Sequence, residues 1–124
     1  MRILHRIPQR WGHEINHGPG WYPIVAACHE QFVAVDPNYV VHQVKQKYGT
    51  LNYHCTSEAE LAPEQWEAFD ATIDRAARLS AVTCELCGGP GEMCERNEWF
   101  KTLCVPCSEP LGYLSVARRD GAVD

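Results

Sequence analysis

No stretch of this sequence approaches the roughly 18 consecutive apolar residues that a membrane-crossing helix needs. The opening MRILHRIPQRWGHEINH meets charge and proline too early for a secretory signal. Positive charge is also scarce: 11 Lys and Arg stand against 16 Asp and Glu, for a net charge of −5. Proteins that hold nucleic acid by its backbone usually carry a strong basic footprint, because their affinity comes from neutralised phosphates. This chain has no such footprint overall. The shortage is local: from Glu58 to Glu98 the only basic residues are Arg75, Arg78 and Arg96, whereas Arg2, Arg6 and Arg10 make the first ten residues basic. Internal repeats and low-complexity tracts are missing, and 124 residues leave no room for two full hydrophobic cores.

What is present suits a small folded domain with many turns: 45% hydrophobic and 22% charged residues, with 8 Pro and 9 Gly. Without a span or a leader the expected address is cytoplasmic, where thiols stay reduced. Seven cysteines, an odd number, suit a disulfide framework badly. Metal binding is therefore the leading reading of the cysteines.

Trp21, Val25, Cys28, Phe32 and Val35 recur at the spacing of one helix face, with Pro23 in the first turn, and predict a helix from about Tyr22 to Val35. Asp36-Pro37-Asn38 ends it. The runs YVVHQVKQK and TLNYHC around Gly49 predict a hairpin. Alternation places Val40, His42, Val44 and Tyr48 on one side and Val41, Gln43, Lys45 and Lys47 on the other, with the lysine side solvated. A second helix runs from Pro63 to about Ala81, with Trp66, Phe69, Ile73, Ala76 and Leu79 at helical spacing. The expected fold class is α+β: two helices packed on a small antiparallel hairpin or sheet, followed by a zinc ribbon. The chain divides into an irregular N-terminal arm over 1–19, a small α+β domain over 20–82, the ribbon over 83–108 and a C-terminal tail over 109–124.

The strongest signal lies in CELCGGPGEMCERNEWFKTLCVPC, where Cys84-x2-Cys87 and Cys104-x2-Cys107 flank a 16-residue interval. Two such knuckles fold over one tetrahedral Zn2+, with a hairpin filling the interval. Gly88 and Gly89 follow the first pair, where a knuckle turns so that amides can donate to thiolates. Four cysteine ligands close the coordination shell, which makes the one zinc structural. With four thiolates and Zn2+ the net charge moves to about −7.

Cys94 stands outside the pairs and is read as free or packed within the ribbon hairpin. Cys28 and Cys55 are read as core. His29, His42 and His54 offer no readable cysteine pairing, and His13 and His17 sit among glycines that disfavour a helical metal site. Trp99 and Phe100 offer a stacking platform or a sticky patch, with one of the two expected to cover the ribbon's small core. Lys45, Lys47 and Trp99 are the candidate contacts to a partner or to nucleic acid. No catalytic constellation emerges, so no enzymatic activity is expected.

The order GPGWYPIV, QVKQKYGTLNY, CELCGGPG and WFKTLC resembles that of a group of small proteins encoded by tailed phages and prophages of bacteria. The resemblance covers about residues 18–107. Gln43, Val44, Lys45, Lys47, Tyr48, Gly49, Leu51 and Tyr53 match its hairpin motif, and Cys84, Cys87 and Cys104 match its ribbon, with Cys107 at a position that accepts cysteine or histidine. The resemblance implies a viral protein acting in the bacterial host's cytoplasm. The expected function is a zinc-binding interaction protein that docks on a host protein or protein–nucleic-acid complex and modulates or inhibits it, including anti-defence or anti-CRISPR roles. The alternative is a zinc-ribbon protein that binds nucleic acid directly through Lys45, Lys47, Arg2, Arg6, Arg10, Arg118 and Arg119.

Overall fold

A computed structural model describes residues 15–117. Two three-stranded sheets, one with two helices on its face, make an α+β fold. Strand β1 (Ile15–Asn16) leads through a 3₁₀ turn (Pro19–Trp21) into helix α1 (Tyr22–Val35). Strands β2 (Val40–Lys47) and β3 (Thr50–Thr56) follow, then helix α2 (Pro63–Ser80). The C-terminal part holds β4 (Glu92–Arg96), β5 (Trp99–Leu103), α3 (Val105–Leu111) and β6 (Leu114–Ser115). The sheet orders are β1-β2-β3 and β5-β4-β6.

Helix α1 buries Val25, Cys28 and Phe32 together with Trp21, as its spacing predicts. Its end is fixed by Asp36, whose carboxylate accepts hydrogen bonds from the Asn38 amide and the Ser57 hydroxyl, joining the helix end to the end of β3. Phe32 packs against Tyr39, Tyr53 and Phe69 with ring centroids 4.9–5.2 Å apart. The hydroxyls of Tyr39 and Tyr53 are 2.7 Å apart, and Tyr39 also meets His29 Nδ1 at 2.6 Å, so the polar tips of these buried rings satisfy one another.

Helix α2 begins at Pro63, and the Gln65 side chain reaches back to accept from the Ala62 amide, filling one of the bonds that a helix start leaves open. Its buried face is Phe69, Thr72, Ala76 and Ser80. This is a narrower stripe than the sequence predicts: Trp66 and Leu79 sit at its margins, 37% and 47% exposed, because Thr72 and Ser80 take the central positions. Both hydroxyls are satisfied locally. Thr72 donates to the Ala68 carbonyl, and Ser80 donates to the Ala77 carbonyl while accepting from the Leu51 amide on β3.

The inner face of the first sheet also departs from simple alternation. Val41 and Val44, three apart, are both buried, because the register steps from Val41↔Cys55 to Gln43↔His54 and leaves His42 as an extra residue. Such a bulge resets the parity of the strand. Val41 therefore joins the core, away from Gln43, Lys45 and Lys47, while Lys45↔Asn52 and Lys47↔Thr50 remain on the outer face.

Two boundaries differ from the expected divisions. Ile15 and Asn16, assigned to an irregular arm, pair in parallel with Val44 and Lys45. Leu114 and Ser115, assigned to a tail, pair with Glu95 and Cys94, so the C-terminal sheet gains a third strand. Pairings between residues so distant in sequence carry no local signal. The earlier arm, with Arg2, Arg6, Arg10 and His13, and the end of the tail, with Arg118 and Arg119, lie outside the described residues.

The two halves meet through close backbone contacts. Gly20 donates its amide to the Glu85 carbonyl, Gly18 donates to the Glu85 carboxylate, and the Trp21 indole donates to the Thr83 carbonyl. A side chain at Gly20 would place its Cβ 2.2 Å from the Cys84 carbonyl oxygen, so glycine is required for this approach. Glu85 is 2% exposed, and its carboxylate lies 3.5 Å from the Lys101 ammonium.

Candidate metal centre and the adjoining concavity

Cys84 and Cys87 precede β4, Cys104 follows β5, and Cys107 lies in α3, so the hairpin carries the two pairs to one point. All four sulfurs lie within 4.8 Å of one another. Cys87 Sγ and Cys104 Sγ are 3.6 Å apart. Tetrahedral coordination with metal–sulfur bonds of about 2.3 Å requires sulfur–sulfur spacings of about 3.8 Å, so the arrangement is compatible with one structural metal ion.

The surroundings favour thiolate at part of the cluster. Burial pushes the Cys84 thiol up, but the amides of Cys104, Cys87 and Leu86 and the Cys87 thiol hydrogen-bond to its sulfur and bring it down to about 7. The Gly89 amide, 3.4 Å from Cys87 Sγ, acts in the same direction there, but the neighbouring thiols of Cys104 and Cys84 outweigh it and the Cys87 thiol is raised. Cys107 is pushed up to about 12, chiefly by its hydrogen bond with Cys104. One thiolate thus makes the next harder to form, the condition that a cation at the centre would relieve.

The ribbon's own core consists of Cys84, Cys94, Leu103 and Tyr113. Cys94 is buried, with its sulfur 3.4 Å from the Glu92 carbonyl, and is not among the four clustered cysteines. Neither Trp99 nor Phe100 covers this core, contrary to the expectation for one of them; Tyr113, reached only through the return of the chain after α3, takes that place. Trp99 is 68% exposed. Cys28 and Cys55 belong to the first core, and burial pushes their thiols up to about 11 and about 12. Among the remaining histidines, the rings of His42 and His54 meet at a tilt with centroids 5.1 Å apart at the bulge, and His17 packs against Trp21 and Tyr22.

The structure brings Trp99 to Lys45 and Lys47, more than fifty positions earlier in sequence: the three line one concavity of about 430 Å³, with Gln46, Tyr48, Asn97, Glu98 and Phe100. Its walls are two hairpin tips. Each tip is a two-residue loop with both residues at positive φ, Tyr48 (52°) and Gly49 (84°) in one, Asn97 (51°) and Glu98 (69°) in the other. These are type I′ turns, which match the twist of a hairpin. Gly49 and Asn97 are common in them, whereas Tyr48 and Glu98 hold the left-handed conformation at a steric cost. The Thr102 hydroxyl donates to the Gly49 carbonyl and locks the first tip onto β5. Tyr48 meets Phe100 edge-on at 6.4 Å and is otherwise 68% exposed. No ion pair among the described residues involves Lys45 or Lys47.

Sequence reasoning missed Asn97, Glu98 and the buried Glu85. For Glu85 and Glu98 no local signal distinguishes them from surface acids; Asn97 carried a faint one, as a turn former between two short apolar runs. No helix among the described residues is long and apolar enough to cross a membrane. Taken together, the fold and its cysteine cluster define a small α+β protein with a potential metal-binding ribbon. No family model, curated protein or solved structure matches the chain.

Proposed function

We propose that this protein is a zinc-stapled interaction module that docks on a protein complex through the concavity between its two hairpin tips. The observation that carries the reading is the convergence of Lys45, Lys47 and Trp99 on one surface beside Tyr48 and Phe100. Exposed Trp and Tyr next to cations that have no ion pair among the described residues are the kind of residues that anchor protein interfaces. Soft thiolate ligands in a four-sulfur set suit Zn2+, and a shell closed by four cysteines leaves no position for substrate, so the ion's role is to hold shape. On the motif resemblance, the protein is phage-encoded and its target is a complex of the bacterial host, met in the host cytoplasm and altered by docking, as in an anti-defence or anti-CRISPR role.

The test is affinity capture from bacterial lysate with and without nuclease, comparing the native chain with Lys45→Glu/Lys47→Glu and with Trp99→Ala. A host protein retained after nuclease by the native chain and lost by both variants supports the reading. Retention by all three chains counts against it.

A second reading, direct binding of single-stranded nucleic acid, draws on the same juxtaposition of lysines and exposed aromatic faces, since bases stack on such rings while cations hold the backbone. It predicts binding to generic DNA or RNA at about 50 mM salt that falls steeply as salt is raised.

A further inference from the structure

Resting on the docking reading, we infer that the concavity takes an extended acidic segment of the partner protein, paired with the backbone of Phe100 on the edge of β5. Strand β5 is an edge strand, in the order β5-β4-β6. The Thr102 carbonyl turns away from β4 and accepts from the Glu85 amide. In an antiparallel ladder, residues two apart turn their backbone groups the same way, so the Phe100 amide and carbonyl also point off the sheet edge. Phe100 lines the concavity, and no described residue hydrogen-bonds to its outward backbone groups. With the Thr102 carbonyl already taken, Phe100 is the outward-facing residue of β5 left to pair with an extended segment.

The opposite wall selects the charge of that strand. Lys45 and Lys47 lie two apart on β2, about 6.7 Å along the strand, which is the repeat of side chains on one face of an extended peptide. Carboxylates at alternate positions of the incoming segment would meet both ammonium groups. Among the described residues Glu98 is the one carboxylate lining the concavity, so their lining carries a net positive charge within a protein whose total is −5. Tyr48 and Trp99, each 68% exposed, stand at the two hairpin tips and cover apolar side chains of the segment. A polyphosphate backbone fits less well: two lysines make no track, and Glu98 with the overall negative charge opposes it.

The test is selection of random displayed dodecapeptides against the full zinc-loaded chain, followed by binding of a synthetic selected peptide. The inference expects enriched peptides with acidic residues at i and i+2, a shift of the Phe100 amide resonance on binding, and affinity reduced about tenfold or more in Lys45→Glu/Lys47→Glu. Both lysines lie on the outer face, so the variant's unchanged melting temperature serves as the folding control. Enrichment without acidic pairs, affinity equal in the variant, or a silent Phe100 amide overturns the inference. So does tighter binding of a thymidylate dodecamer at about 150 mM salt, or a dimer of the chain that excludes the peptide. A host protein captured equally by the native chain and the variant overturns both the segment and the concavity; one lost by the variant, without acidic-peptide selection, overturns only the segment.

Discussion

The Thr102 hydroxyl donates to the Gly49 carbonyl across 53 positions of sequence, and this bond ties the tip of the first hairpin to the ribbon. Thr102 and Gly49 are both buried, so removing the donor strands a carbonyl away from water. Thr102→Val, nearly equal in shape, is expected to destabilise the chain by about 1–3 kcal/mol, the usual result of an unsatisfied buried group. Chemical denaturation measures it. Because the bond also positions one wall of the concavity, partner binding should weaken in the same variant.

Gly20 marks the tightest approach between the two halves. Gly20→Ala would set a methyl group 2.2 Å from the Cys84 carbonyl oxygen and 2.5 Å from the Gly88 amide nitrogen, backbone atoms that cannot swing aside. The expected loss is at least about 2 kcal/mol, in the range of overpacked cores. Metal affinity should fall with it, since the displaced atoms belong to the first cysteine knuckle. A melt of the variant with and without added zinc separates the two effects.

Glu98 holds φ at 69°, a conformation disfavoured by about 1–2 kcal/mol for a residue with a side chain. Glu98→Gly creates an Asn-Gly pair, the preferred occupant of a type I′ turn. The variant should therefore be more stable by up to about 1 kcal/mol. A lower melting midpoint would show that Glu98 makes a stabilising contact outweighing its backbone strain.

Alkaline pH should weaken the fold. Burial, only partly opposed by the Arg75 charge, pushes Cys28 up to about 11; burial and then the neighbouring Cys28 push Cys55 up to about 12. In the unfolded chain both thiols titrate near about 8.5. Above that pH the unfolded state sheds protons that the folded state keeps, so stability present below about 8.5 drains away as pH climbs toward the folded values. Denaturation midpoints measured at about pH 8 and pH 10 should fall less in Cys28→Ala/Cys55→Ala than in the native chain. Tyr53, raised in the same direction by burial and by Tyr39, leaves a residual fall.

The local elements were legible because their signals are local. The stripe from Trp21 to Phe32 spells out α1, Gly49 marks the first turn, and the spacing of Cys84, Cys87, Cys104 and Cys107 anticipates their gathering. Alternation alone misplaced Val41, since the bulge at His42 has no compositional mark. Asn97 marks the second turn only faintly, and Glu98 masks it, because Glu rarely adopts positive φ. Leu114 and Ser115 acquire their strand only by pairing with Cys94 and Glu95. The concavity itself was out of reach: Lys45, Lys47 and Trp99 were visible as candidates, but their convergence depends on how two hairpins meet.

Elemental analysis of the purified chain, alongside Cys87→Ala/Cys104→Ala, tests the metal-stapled account most directly. One zinc per native chain, lost in the double variant together with the ordered ribbon, is the predicted result. A metal-free native chain that keeps the same fold and melting temperature would contradict it.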